Sequence, residues 1–118
     1  MEISATDPER GGGLDGDELA RRVAADLRAL YGSRLRKVVL FGSRARGDAT
    51  PESDLDLLVV LDQTEDHWRE HDRMDDVLWR HTLESGIVVS AIPFGESELS
   101  ATHAPALKRA QIEGRTVG

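Results

Sequence analysis

The sequence predicts an α/β fold: a small mixed β-sheet with helices packed on it, in the order α-β-β-α-β-α. Three observations carry this prediction. Leu35 to Phe41 and Asp54 to Leu61 are short β-branched and apolar runs of strand length. Stretches with apolar residues at helical spacing lie before the first run and after the second, and a third apolar run, Gly86 to Ile92, follows. The chain has 118 residues, which is room for one core and not for two.

The elements follow in order. Residues 1–16 contain Gly11-Gly12-Gly13 and little to bury, so they are expected to form a flexible tail ahead of a single domain over 17–118. Asp15 and Glu18 have capping-box spacing at the start of the first helix. Leu19, Val23, Leu27, Leu30 and Tyr31 then form its apolar stripe, and Gly32 is its stop. The first strand is Leu35 to Phe41. The second opens on Asp54 and becomes continuously apolar, as a central strand does. Glu65 to Glu84 reads as a long helix with Trp68, His71, Met74, Leu78 and His81 on roughly one stripe. Core packing is the expectation for Trp68 and Trp79, whereas an exposed one would suit a partner interface. The third strand is expected to end at Pro93. Ser100 to Pro105 is linker-like, and Pro105 opens a last helix to Glu113, with Gly114 as its stop.

Composition narrows the function. A formal charge of −7 argues against nucleic-acid binding through the net field. The absence of cysteine excludes a disulfide scaffold, a thiol nucleophile and a zinc ribbon, and it fits a cytoplasmic setting. No apolar run approaches the length of a membrane span. The net charge also hides a segregation. Arg21 to Arg46 holds eight basic residues against Asp26, and Gly47 to Asp76 holds eleven acids against Arg69 and Arg73. This fits either two solvated faces or a basic rim meeting an acidic pocket.

The informative stretch is Gly42 to Asp56, GSRARGDATPESDLD, which begins where the first strand ends. Gly42 lets backbone approach a ligand closely. Ser43 opens a short helical turn, whose free N–H groups suit phosphate oxygens. Arg46 returns to the face of Ser43 three residues later. Asp54 and Asp56 share one face of a strand, with roughly 6.5 Å between their Cα atoms. A hard divalent cation that also takes phosphate oxygens would neutralise such a pair, and Mg²⁺ binds in this way. Arg44 is a further candidate, with a solvated position on the far side of the turn as the alternative. Two other patterns carry little. His67 and His71 lie at i,i+4 but lack the zinc-protease order. The Gly42–Gly47 spacing lacks the Lys and Ser/Thr of a P-loop.

Gly42-Ser43, the ten residues Arg44 to Ser53, and Asp54-Leu55-Asp56 resemble the G-S-x(10)-D-x-D signature of the DNA polymerase β-like nucleotidyltransferase superfamily. The small size and the GSRARGD form resemble the minimal nucleotidyltransferase (MNT) group, whose members are often paired with a HEPN-domain protein in toxin–antitoxin systems. The resemblance implies that Gly42 and Ser43 bind the β- and γ-phosphates of an NTP, with Arg46 helping and Arg44 as a weaker candidate. It implies that Asp54 and Asp56 are the catalytic metal ligands for Mg²⁺. It also implies transfer of NMP, AMP from ATP, to a hydroxyl of a partner protein, with the chain as the antitoxin-type member of the pair. A homo-oligomer is left open.

One departure stands out. The superfamily supplies a third carboxylate from the strand beside Asp54 and Asp56. Here that strand is Ile87 to Ile92, with Ser90 as its only polar side chain and Glu84, Glu96 and Glu98 flanking it. The alternative reading is therefore a catalytically weak nucleotide-binding module that neutralises a HEPN partner by binding. Whether Ser90 faces the two acids depends on whether its face-mates Val88 and Ile92 belong to the core.

Overall fold

A computed structural model describes residues 16–118 of the chain. The expected tail, its glycine run and the Asp15 half of the capping box lie outside the described residues.

Helix α1 (Gly16–Tyr31) buries Leu19, Val23, Leu27 and Tyr31 of its predicted stripe, while Leu30 turns outward at 41% exposure. A 3₁₀ turn (Gly32–Arg34) leads into strand β1 (Leu35–Phe41), and the single turn α2 (Ser43–Arg46) follows. Strand β2 (Leu55–Leu61) has every residue but Asp56 buried. Helix α3 (His67–Ser85) is capped by Asp66, whose carboxylate accepts from the Arg69 amide. Strand β3 (Val89–Gly95), helix α4 (Glu96–Ala101), helix α5 (Pro105–Glu113) and the short strand β4 (Arg115–Thr116) complete the chain.

The sheet order is β3-β2-β1-β4, with β2 parallel to β3 and the other pairs antiparallel. This is the mixed sheet that the sequence predicts, with two additions and one correction. Helix α4 occupies part of the segment expected to be a linker, and β4 was not expected. Strand β3 starts later than predicted and runs through Pro93, which pairs with Val59. A proline is tolerated there because β3 is an edge strand, where a missing N–H leaves no neighbour unsatisfied.

The sheet divides the core. One face carries Leu55, Leu57, Val59 and Leu61 of β2, which pack with α1, α3 and Met74. The other carries Val39, Leu58 and Val60 under Leu99, Phe94 and Leu107 of the β3–α5 region. Asp56 lies on this second face, where the cover ends.

The far end of the sheet is tied by ions. Arg34 donates to Glu70 at 2.6 Å and to Asp62 at 3.2 Å, and Tyr31 donates its hydroxyl to the Glu70 carbonyl. Glu70 is 7% exposed, so its charge relies on this pairing. Arg22, Arg34 and Arg36 all find acidic partners of this kind. Much of the basic half of the charge segregation is thus used in ion pairs rather than in a basic rim.

The predicted stripe of α3 holds for Met74, Leu78 and His81. It fails for Trp68, which is 81% exposed; Trp79 is 61% exposed. The expectation of core packing for the two tryptophans is corrected: helix α3 buries one side against the sheet, and both indoles lie outside that buried side.

Candidate active site

Asp56 is the centre of the site. It sits in the sheet between Phe41 of β1 and Ser90 of β3, at the end where β1 runs out into Gly42. Gly42 has φ 79° and ψ −159°, a backbone conformation that only glycine adopts at low cost. A Cβ on Gly42 would lie 2.6 Å from Asp56 Oδ2. The glycine is therefore required twice, by its backbone and by the carboxylate packed over it.

Next to Gly42, α2 is held open at its start. The Gly42 carbonyl accepts from Ala45 and Arg46 at 3.1 Å, which leaves the Ser43 and Arg44 amides without intrahelical acceptors. Arg115 donates to the Ala45 carbonyl at 2.9 Å and pairs with Asp17, so β4 and α1 together hold this turn in place. Arg115 was missed in the sequence, because nothing near it in the chain marks a positioning role.

The two arginines of the turn separate. Arg46 lies close enough to Asp56 for its charge to act on that carboxyl, and it also pairs with Asp48. Arg44 turns the other way. Its guanidinium donates to the Ser53 carbonyl at 2.8 Å and 3.1 Å, which pins the loop that carries the chain back to Asp54. The structure therefore engages Arg44, a nucleotide-binding candidate by sequence, in holding the loop.

Burial, first, and the Asp54 charge, second, push the Asp56 carboxyl above the usual aspartate range, with Arg46 opposing. No hydrogen bond from protein contributes to that balance. Two adjacent carboxylates in this state suit a divalent cation, which would relieve both desolvation and repulsion. Among the described residues no group of three or more His, Asp and Glu could hold a metal alone. The donor set thus fits Mg²⁺ held by Asp54 and Asp56 with ligand oxygens in its remaining positions.

Ser90 shares a face with Asp56. It is the register partner of Asp56, it is exposed, and its face-mates Val88 and Ile92 are 53% and 39% exposed rather than core. Side chains of register partners in neighbouring strands lie on the same face, so Ser90 stands beside Asp56. The flanking acids are elsewhere. Glu96 pairs with Arg36, and Glu98 accepts from the Gly95 amide and pairs with His67, both beyond the opposite end of β3. Glu84 lies on α3 near Arg22 and His81. His67 is accounted for by Glu98 and by the edge of Phe94.

Residues 20–115 match the profile of the nucleotidyltransferase domain. The chain belongs to the nucleotidyltransferase domain family. Two relatives from Methanocaldococcus jannaschii, each provisionally named a protein adenylyltransferase, match this nucleotidyltransferase domain. One is 41% identical over 66 residues, which is 56% of this chain and 60% of that protein. The chain thus spans less than two thirds of that relative's length. The other is 31% identical over 75 residues, 64% of this chain and 75% of that protein. Among solved structures, a provisionally named nucleotidyltransferase from Sulfolobus solfataricus superposes with a TM-score of 0.61 at 20% identity, covering 85% of this chain and 77% of that one. A complex of tri-AMPylated HEPN toxin with MNT antitoxin from Shewanella oneidensis gives a TM-score of 0.55 at 15% identity, covering 86% and 71%. At such identities the likeness to the solved structures is one of fold. Among the described residues no helix is long and apolar enough to cross a membrane.

Proposed function

We propose that this nucleotidyltransferase domain transfers AMP from ATP to a hydroxyl of a partner protein. The observation that carries the reading is the Asp56 carboxylate packed directly over Gly42, with Asp54 and Arg46 both acting on its charge. One element pair thereby brings together a place for phosphate oxygens and a place for a divalent cation. Gly42, Ser43 and Arg46 are proposed to hold the β- and γ-phosphates, and Asp54 and Asp56 to hold Mg²⁺. When bound, Mg²⁺ supplies charge neutralisation on the triphosphate as pyrophosphate leaves. The acceptor oxygen forms the new bond to the α-phosphorus, the bond to the bridging oxygen of pyrophosphate breaks, and the hydroxyl proton passes to solvent or to a carboxylate.

The names of the relatives support a protein acceptor, and the Shewanella complex supports a HEPN-domain protein as that acceptor. The chain would then be the antitoxin-type partner, at work in the cytoplasm, where ATP is available. A second reading is favoured by Ser90. With a hydroxyl where a carboxylate would help activate the acceptor, the chain could bind nucleotide and partner with little turnover. Incubation with Mg²⁺ and ATP labelled at either the α- or the γ-phosphate, with and without the HEPN protein, tests both. Label from the α-position on the partner supports transfer, γ-label means a kinase, and binding without label supports the second reading.

A further inference from the structure

The two tryptophans of the chain, Trp68 and Trp79, are both on α3 and both exposed, at 81% and 61%. They are eleven residues apart, close to three helical turns, so they lie about 20° apart around the helix and about 16 Å apart along it. Leu83, 65% exposed, extends the same stripe by one turn. Between the indoles the stripe carries Asp72, Asp75 and Asp76, all exposed. Their carboxylates form no ion pair or hydrogen bond with any other described residue. Elsewhere on the same helix, Glu70, Arg80 and His81 all have partners.

This stripe runs into a groove of about 190 Å³ between α3 and the edge of the sheet. Asp75, Leu78, Trp79, Val88, Val89 and Ser90 are among the residues that line it. Ser90 flanks Asp56 on the side opposite Gly42. The stripe thus leads to the β3 edge of the sheet, and a chain following it would reach the candidate active site by passing round that edge at Ser90, which leaves the Gly42–Arg46 side free for a triphosphate.

We propose that the Trp68–Leu83 face of α3 is the docking surface for the acceptor protein, and that its occupant is an amphipathic segment bearing Lys or Arg among apolar side chains. This rests on the reading that the acceptor is a protein. Three unpaired acids set between two indoles select a partner of positive charge, and they repel nucleic acid. They also disfavour a second copy of this face, because a two-fold axis would set acid against acid. The arginines of α1 are poor occupants in another copy, since Arg21 and Arg22 already pair with Asp17 and Glu18. Pro93 within β3 argues against the other obvious mode, in which a partner strand extends the sheet edge.

The test needs neither ATP nor an identified partner. The probe is a helical 21-residue peptide of Leu and Lys in amphipathic order, with a Leu/Glu peptide of the same pattern as control. Because Trp68 and Trp79 are the only indoles of the chain, their emission reports on this face alone. The Leu/Lys peptide is expected to shift emission to the blue and to reduce acrylamide quenching, and the Leu/Glu peptide to do neither. With labelled peptide followed by anisotropy, Asp72→Asn/Asp75→Asn/Asp76→Asn should weaken binding about tenfold. Glu65→Gln/Glu84→Gln/Glu113→Gln, which removes the same charge elsewhere, should weaken it less than about threefold. Trp68→Ala/Trp79→Ala should weaken it as much as the aspartate triple. Equal binding of both peptides, equal loss in both triples, or no change in emission would overturn the proposal. Indoles that are shielded without peptide and become exposed on dilution would instead make the face a self-interface. If the peptide docks as described while α-label transfer fails, the surface stands and the catalytic reading falls.

Discussion

Ser90→Asp is the substitution that this geometry makes most informative. Ser90 is exposed and is the register partner of Asp56 on the parallel strand, so a carboxylate there would stand roughly 5 Å from that of Asp56. At that distance two charges in water-like surroundings repel by about 1 kcal/mol. For a domain of this size that is a loss of about 4 °C in melting temperature. The sign depends on pH. The Asp56 carboxyl is already held above the usual aspartate range by burial and by Asp54, and a third acid raises it further. The penalty is therefore absent in acid, where the carboxyls are protonated, and grows as pH rises through the raised Asp56 value. Mg²⁺ should remove it by binding the three carboxylates. The assay is melting temperature at acidic and neutral pH, with and without Mg²⁺, beside transfer of α-label from ATP. The expected outcome is a few degrees lost at neutral pH without Mg²⁺, recovery with Mg²⁺, and transfer raised about tenfold or more by an added carboxylate at the acceptor side. A loss of stability that ignores both pH and Mg²⁺ would mean that Ser90 does not face Asp56. A recovered stability with unchanged transfer would refute the idea that a missing carboxylate limits the rate.

Asp54→Asn/Asp56→Asn should abolish Mg²⁺-dependent transfer and raise the melting temperature at neutral pH, because ionising the raised Asp56 costs stability; calorimetry should show that gain vanish in acid, below the usual aspartate range. Gly42→Ala should cost about 1–3 kcal/mol by urea unfolding, from the positive φ alone, and should also weaken Mg²⁺–ATP binding, since the new Cβ displaces the Asp56 carboxylate. Unfolding in urea should also separate two ion pairs. Arg34→Ala leaves Glu70 buried with only Arg73 nearby, at 3.7 Å, and should cost about 3 kcal/mol. Arg36→Ala breaks a half-exposed pair with Glu96 and should cost under about 1 kcal/mol.

Elements with a complete local signal were legible in the sequence. Strand β1 matches its prediction residue for residue, because the run Val38 to Phe41, led in by Leu35, is apolar and β-branched and is bounded by a turn on each side. Helix α5 does so because Pro105 and Gly114 punctuate it. The site's ingredients were legible for a similar reason: a glycine, a hydroxyl and two alternating acids at fixed spacing are properties of the chain. Strand β3 was misplaced because Pro93 reads as a stop in any local rule, and only the position at the sheet's edge makes it harmless. Strand β4, two residues long, carries no periodicity; its pairing with Val39 and Leu40 is bought by the fold around it.

Sequence by itself determined the fold class, the pairing of Gly42-Ser43 with Asp54-Asp56, and the absence of an acid from the third strand. Those follow from backbone periodicities and side-chain chemistry, which are local. Tertiary structure decided which strand neighbours meet, and hence that Ser90 and not Val89 lies beside Asp56. It decided that Arg46 lies near enough to Asp56 for its charge to act there while Arg44 and Arg115 hold the loop and the turn. It also decided that both tryptophans lie outside the core, because a helix has only one side against the sheet and the helical stripe alone does not say where that side ends. Register, edge and facing depend on contacts between residues far apart in the chain, and no spacing within a single segment encodes them.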